Sequence, residues 1–155
     1  MSATVRAEPP DGPASRGLWA EYQALLAARL DAPVADPEHI FASPESFSGP
    51  GSAWLVAYED GGPVACGGLR RIDEHTGEIK RMFVTARARG RGHARALLAE
   101  LERVAAAAGQ RRLRLITTEV LREARALYAA CGYAVVAAPR EGDRQDYVME
   151  KALPS

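Results

Sequence analysis

The sequence predicts one mixed α/β domain. Its 155 residues are the length of a single domain that can bury a core. Helical and strand patterns alternate along the chain in the order α, β, β, β, α, β, α, β, β. Residues 78–117 have the pattern strand, short loop, helix, strand, which predicts a βαβ crossover between two parallel strands.

Apolar spacing locates three helices. The first is predicted from about Ser15 to Leu30, where large apolar residues fall on one face. Residues 94–108 have the clearest apolar stripe, and Gly109 is the expected C-terminal stop. A shorter helix over residues 121–131 is expected to end at Gly132.

Strand patterns occupy most of the rest of the chain. Residues 53–72 predict a hairpin around the turn at residues 59–62, Glu-Asp-Gly-Gly. A strand follows from about Glu78 to Thr85, and its apolar phase changes, which indicates a β-bulge or burial on both faces. The Pro-, Ser- and Gly-rich residues 31–52 predict a long loop with one short helical turn. Further strands are predicted at residues 111–117, 133–138 and 145–151.

Composition disfavours several classes of protein. The formal net charge is zero and the pI is about 6.8, so no global charge favours a nucleic acid or a membrane surface. No apolar run is long enough to span a bilayer, and the first residues lack the apolar core of a secretory signal. Cys66 and Cys131 are far apart and lack metal-ligand spacing, so we expect reduced thiols, a cytoplasmic location and no metal.

The stretch RARGRGHARALLAELE, residues 87–102, places arginines and glycines at the start of an amphipathic helix. The preceding strand ends there, and open α/β sheets bind ligands at such ends. Unpaired helix N–H groups, the helix dipole and arginines suit a phosphate, although a solvated turn is the simpler alternative. The loop GxxxxGK[ST] is absent, and GxGxxG fails at Arg95.

The pattern that is present is [Q/R]-x-x-G-x-[G/A] at residues 87–92, with EIKRMFV before it and ALYAACGY after it. In this order the three motifs resemble the GCN5-related N-acetyltransferase (GNAT) superfamily, in a small bacterial-type form. The resemblance is clear from about Ala53 to Tyr133 and implies one GNAT domain over residues 1–155. It implies a twisted mixed sheet of six to seven strands, about four flanking helices, and splayed parallel strands that form the acetyl-CoA cleft.

The resemblance also implies acetyl-CoA as the cosubstrate, with CoA as product. The pantetheine arm is expected along Met82, Phe83 and Val84, where the Val84 N–H would polarise the thioester carbonyl. The pyrophosphate is expected on the loop at the helix start, although not all of its arginines can point inward. The cofactor-binding residues implied there are Arg87, Arg89, Gly90, Arg91, Gly92, His93 and Ala94.

Two catalytic residues follow from the resemblance. Tyr128 matches the family tyrosine near the CoA sulfur and is expected to protonate the leaving thiolate; the alternative is a buried structural tyrosine. Glu78 is the candidate base, and the alternative of a carboxylate that pairs with Lys80 or Arg70 has nearly equal weight. Leu121 replaces an asparagine of many relatives, so one cofactor contact would be lost or supplied by another group.

The acceptor pocket is expected between the first helix, the loop after it and the C-terminal strands, with Trp19, Tyr22, Arg70 and Tyr147 as candidate residues. The predicted function is acetyl transfer to a primary amine of a small molecule (amino acid, polyamine, antibiotic or peptide) by direct attack in a ternary complex. One alternative is a non-catalytic acyl-CoA-binding or sensor module, and another is a tRNA- or protein-directed acetyltransferase. No membrane partner is expected, nucleic acid is disfavoured, and a homodimer is left open.

Overall fold

The computed structural model describes residues 3–30, 44–118, 122–137 and 146–154. These residues form a seven-stranded sheet with helices packed on its two faces. The strands are β1 (Ala3–Ala7), β2 (Ala53–Glu59), β3 (Gly62–Arg71), β4 (Thr76–Val84), β5 (Arg112–Thr118), β6 (Ala134–Ala137) and β7 (Asp146–Ala152). The helices are α1 (Pro13–Leu30), α2 (His93–Ala107) and α3 (Arg122–Ala130), with short 3-10 turns at Pro44–Phe47 and Ala86–Ala88.

The sheet has the strand order β1-β2-β3-β4-β5-β7-β6. Neighbouring strands are antiparallel except β4 and β5, which run parallel and are joined through α2. Their pairing begins at Thr76 with Arg112 and stops at Ile79 with Leu115, so the carboxyl-terminal halves of the two strands separate. The predicted crossover and the predicted splayed strands are therefore confirmed.

Two cores lie on opposite faces of the sheet because side chains alternate along each strand. In β2, Leu55 and Ala57 join the larger core under α2, whereas Trp54 and Val56 join a smaller core with Leu18 of α1. The apolar stripe of α2 explains why this helix lies on the larger core. Its residues Leu97, Leu98, Leu101 and Ala105 are fully buried.

A β-bulge interrupts β4 at Arg81. Cys66 on β3 pairs with Phe83, whereas Gly68 pairs with Lys80, so two steps along β3 match three along β4. Arg81 has a φ of 60°, which non-glycine residues rarely adopt. The apolar phase change in this strand therefore arises from a bulge, one of the two explanations that the pattern allowed.

Several elements differ from the sequence expectations. β1 pairs with β2, with Val5 opposite Ala57, and no pattern predicted it because most of its residues are exposed. About four helices were expected, and the described part of the chain has three α-helices. Within the predicted long loop, Pro44–Phe47 forms a short helical turn, and residues 31–43 lie outside the described residues. No described helix is long and apolar enough to cross a membrane.

Candidate active site

A cavity of about 370 Å³ lies where β4, the start of α2, α3 and α1 meet. Its walls include Met82, Phe83 and Val84 of β4, which is the strand edge predicted to bind pantetheine. Tyr128 of α3 and Tyr22 of α1 also line it. One cavity thus brings together the predicted cofactor edge, the predicted proton donor and one predicted acceptor residue.

The loop before α2 leaves open space in front of its backbone. Gly90 and Gly92 have φ values of 79° and 86°, in the left-handed region that favours glycine. A Cβ atom built on either residue would meet no heavy atom of the described residues within 4 Å. Both residues line the cavity with His93 and Ala94, at the first turn of α2, where N–H groups have no intrahelical partner. The loop therefore fits a phosphate-bearing donor such as acetyl-CoA.

The exposed edge of β4 offers a backbone donor beside this loop. The N–H of Thr85 donates to the Val64 carbonyl on β3 at 2.8 Å. Successive N–H groups of an extended strand point to opposite edges, so the Val84 N–H points away from β3. Since β5 no longer pairs with β4 beyond Ile79, that N–H faces the gap between the two strands.

The three loop arginines point in different directions. Arg89 lines the cavity, and its Nε donates to the Val84 carbonyl at 3.3 Å. Arg87 instead donates to the Pro63 carbonyl at 3.1 Å, on the β3 side. Arg91 pairs with Glu59, so neither Arg87 nor Arg91 lines the cavity. This agrees with the expectation that not all of the arginines point inward.

Arg95 also lines the cavity and was not among the predicted contacts. It occupies the position at which the dinucleotide fingerprint has its third glycine, so the sequence does not match that fingerprint. It lies two residues after His93 at the start of α2. An arginine in the first turn of a helix beside a glycine loop was therefore the available signal.

Glu59 connects the β2–β3 hairpin to the same loop. His93 Nε2 lies 2.6 Å from Glu59 Oε2, and Arg91 pairs with Oε1. The side chains of His93 and Glu59 are 4% and 8% exposed, so this contact is shielded from water. The hydrogen bond with His93, supported by Arg91, lowers the pKa of the Glu59 carboxyl. No sequence signal pointed to Glu59 beyond its place beside a turn.

Tyr128 is 6% exposed, and its ring packs edge-on against Tyr133 with centroids 6.1 Å apart. No hydrogen bond to its hydroxyl comes from the part of the chain that the structure describes. Burial, with smaller effects from Tyr22 and Cys131, raises the pKa of Tyr128 above its usual value. The hydroxyl is therefore a protonated donor at neutral pH.

Glu78 lies outside the residues that line the cavity. The residue is 3% exposed, and its carboxylate accepts hydrogen bonds from Arg70 Nη2 at 2.9 Å and from Arg114 Nη2 at 3.2 Å. Lys80 Nζ is 3.6 Å away. The strand register explains these contacts, because Arg70 and Arg114 flank Glu78 on the two neighbouring strands. The alternative prediction, that Glu78 pairs with Lys80 or Arg70, describes contacts that are present. The role of Glu78 as the base stays a prediction.

The predicted acceptor residues are only partly brought together. Trp19 and Tyr22 are in contact, with ring centroids 4.9 Å apart, and Tyr22 lies 5.4 Å from Phe83. Tyr147 does not line the cavity; its ring lies 4.2 Å from the guanidinium of Arg125. The Leu121 position, where a cofactor contact was in question, lies outside the described residues.

Comparisons with known proteins agree with this geometry. The chain matches the acetyltransferase (GNAT) family over residues 17–133. It is similar to a Klebsiella pneumoniae protein proposed to be an acyl-CoA N-acyltransferase, with 28% identity, 97% of each chain covered and a TM-score of 0.75. No curated protein was found to match the chain.

Two further solved structures share the fold. A GNAT-family acetyltransferase from Staphylococcus aureus has 14% identity, with 99% of this chain and 100% of that chain covered and a TM-score of 0.81. A GNAT-family acetyltransferase from Elizabethkingia anophelis with acetyl-CoA bound has 18% identity, with 97% and 98% covered and a TM-score of 0.72. The chain therefore belongs to the acetyltransferase (GNAT) family. It is an acyltransferase, and its cosubstrate is acetyl-CoA, as the sequence motifs predicted.

Proposed function

We propose that this protein transfers the acetyl group of acetyl-CoA to the primary amine of a small molecule, by direct attack of the amine in a ternary complex. The observation that supports this most directly is the shared cavity of the β4 edge, the glycine loop and Tyr128. Cys66 and Cys131 are free thiols, the form that a reducing compartment maintains, so a cytoplasmic location is part of the proposal.

Each part of the cavity has one role in this proposal. Acetyl-CoA supplies the acetyl group as a thioester. The N–H groups at the start of α2 and the Arg89 guanidinium bind its pyrophosphate. The Val84 N–H donates to the carbonyl oxygen as negative charge develops there. The Tyr128 hydroxyl gives its proton to the departing sulfur.

The acceptor amine also has to lose a proton, because a primary amine with a pKa of about 10.4 is mostly protonated at pH 7. Glu78 is the base candidate from the sequence. Both of its oxygens contact arginines, and it lies outside the cavity lining. These contacts favour a different role, in which Glu78 holds cations in place beside the cavity and the acceptor amine loses its proton to water.

Turnover tests the proposed function. The purified protein is titrated with acetyl-CoA by calorimetry, and thiol release is then followed with a panel of amino acids, polyamines, aminoglycosides and peptides. We expect binding of acetyl-CoA and amine-dependent thiol release with at least one class. Absence of both heat and thermal shift at millimolar acetyl-CoA contradicts the proposal. Binding without turnover of any amine indicates a non-catalytic acyl-CoA module instead.

A further inference from the structure

Cationic side chains crowd one face of the sheet where β4 separates from β5. We define the cation cluster as Arg70, Lys80, Arg81 and Arg114. Arg70, Arg114 and Lys80 all lie within 3.6 Å of the Glu78 carboxylate. Arg81 is the next residue after Lys80, at the bulge that follows the last β4–β5 pair.

Among the described residues, the cluster has more positive charge than its neighbours neutralise. Within the described residues, Glu78 is the carboxylate in ion-pair contact with the cluster. Glu150 stands opposite Arg114 in the register, and it pairs with Arg112 at 3.8 Å. Three of the four cations thus share the Glu78 carboxylate, and Arg81 has no described carboxylate within ion-pair distance. Burial lowers the pKa of Lys80 and of Arg81, and repulsion from Arg70 acts in the same direction on both.

Arg81 links this excess charge to the cavity. Its guanidinium lies 5.7 Å from the ring centroid of Trp19, and it has no ion pair with any described residue. Trp19 contacts Tyr22, and Tyr22 lines the cavity. The left-handed backbone of Arg81 is a costly conformation for a non-glycine residue, and such conformations often occur at functional sites. Arg114 adds a buried Nε that donates no hydrogen bond to any described residue.

From these contacts we infer that the acceptor amine carries an anionic group, a carboxylate or a phosphonate, which Arg81 and Lys80 bind beside the cavity. A guanidinium binds either group through two parallel hydrogen bonds, and an ammonium adds a point charge. Ring contacts connect this anion site to the donor cavity, because Trp19 lies next to the Arg81 guanidinium and contacts Tyr22, which lines the cavity. Polyamines and aminoglycosides are disfavoured because the cluster repels their additional positive charges.

This inference depends on the proposed function, and matched substrates separate the two. The probes are α-, β- and γ-amino acids, the amide of each acid, the corresponding aminophosphonates, and spermidine. For wild-type protein, kcat/KM is expected to be highest for members with an anionic group. Comparison of carboxylates with phosphonates identifies which anion the site accepts. Acetyl-CoA binding is measured separately, so loss of the inference leaves the family activity intact.

Two variants test which side chains bind the anionic group of the acceptor. Arg81→Gln is expected to lower kcat/KM for the acid by about 10- to 100-fold, the value of a hydrogen bond to a charged group, and to leave the matched amide unchanged. Lys80→Gln should act in the same direction and is the second variant should Arg81→Gln fold poorly. Each substrate is compared by its ratio of wild-type kcat/KM to variant kcat/KM. This ratio cancels the difference in amine basicity between the acid and the amide.

The matched control is Arg103→Gln, an exposed arginine on α2 that pairs with Glu100 at 2.8 Å. This variant should leave kcat/KM at the wild-type value for both the acid and the amide. Equal effects of Arg81→Gln and Lys80→Gln on acid and amide overturn the inference. It is also overturned if spermidine is the preferred acceptor, or if no amine with an anionic group is acetylated while acetyl-CoA still binds.

Discussion

Glu59 at the end of β2 and His93 at the start of α2 lie 2.6 Å apart, between Oε2 and Nε2. The contact joins the end of β2 to the first turn of α2, which lines the cavity. Because Arg91 pairs with the same carboxylate, the glycine loop is held from the β2–β3 hairpin as well as by its own backbone. A side chain outside the cavity lining thus positions residues that form it.

Glu59→Gln is therefore expected to raise the KM for acetyl-CoA more than it lowers kcat, because the loop rather than the reacting groups loses its support. The control is Glu100→Gln, which removes an exposed carboxylate paired with Arg103 on the outer side of α2. Steady-state kinetics at saturating acceptor measure both constants. An unchanged KM together with a lower kcat would contradict the positioning role.

The same contact predicts a pH dependence of stability. The pKa of Glu59 is lowered in the folded protein, so its carboxylate stabilises the fold above its unfolded pKa of about 4.3. That contribution is lost as the pH falls through the folded pKa. Thermal unfolding between pH 6 and about pH 3 should therefore show a steeper loss of Tm for wild type than for Glu59→Gln. Parallel curves would mean that the contact adds nothing to stability.

Gly92 and Gly109 form a matched pair for testing the loop. Their φ values are 86° and 84°, and a Cβ on either residue meets no atom of the described part of the chain within 4 Å. Alanine at either position should cost about 1 kcal/mol of folding free energy, because of the left-handed backbone. Only Gly92 lies at the cavity, so Gly92→Asp should also abolish acetyl-CoA binding, whereas Gly109→Asp should leave it intact. Calorimetry on all four variants measures this, and equal affinities for the two Asp variants would exclude the loop as the pyrophosphate site.

The Glu78→Gln variant distinguishes two roles for Glu78: the catalytic base, or the residue that holds the cation cluster. Its partners Arg70, Lys80 and Arg114 are 42%, 36% and 37% exposed, so solvent screens the ion pairs. We therefore expect Glu78→Gln to lower the free energy of unfolding by about 1–3 kcal/mol, which is less than the loss on breaking a fully buried ion pair. With a structural role, kcat falls by the same factor from pH 7 to about pH 10. Partial recovery at high pH, where more of the amine is neutral, would establish Glu78 as the base.

Local patterns were sufficient to predict much of the fold and of the cofactor site. The α2 stripe, the turn at residues 59–62 and the glycine loop are encoded within a few neighbouring residues, and the structure has each of them. Contacts between distant segments could not be predicted in this way. β1 shows no alternation because it is an exposed edge strand, and Glu59 reaches His93 across 34 residues of sequence.

The directions in which side chains point were also not predictable from the sequence. Arg87, Arg89 and Arg91 have the same spacing in the motif, yet Arg89 alone of the three lines the cavity. The difference arises from acceptors on other strands, the Pro63 carbonyl for Arg87 and the Glu59 carboxylate for Arg91. The place of Tyr147 on a C-terminal strand predicts that it lines the acceptor pocket, and it does not line the cavity. Its face of the sheet depends on strand register, which the sequence alone does not determine.

Tyr128→Phe removes the proposed proton donor and keeps the ring that packs against Tyr133. Because no described residue hydrogen-bonds the hydroxyl, the Tm and the affinity for acetyl-CoA should change little. General acid catalysis contributes about 10²–10⁴-fold, and a thiol is a fair leaving group, so we expect kcat to fall by about 100-fold. The control is Tyr133→Phe, whose hydroxyl donates to Glu102 at 3.4 Å; it should lower the Tm slightly and leave kcat unchanged.

The pH profile gives an independent measurement of the same residue. The pKa of Tyr128 is raised in the folded protein, so its proton stays bound above the usual tyrosine value of about 10. The wild-type kcat should therefore show no fall between pH 8 and about pH 10 from loss of this proton.

The raised pKa of Tyr128 also predicts how stability depends on pH. The neutral hydroxyl stabilises the fold below the unfolded pKa, and this contribution is lost as the pH rises towards the folded pKa. Above about pH 10 the Tm of wild type should thus decline more steeply than that of Tyr128→Phe. An unaltered kcat in Tyr128→Phe, measured where chemistry limits the rate, would mean that water or another group protonates the sulfur.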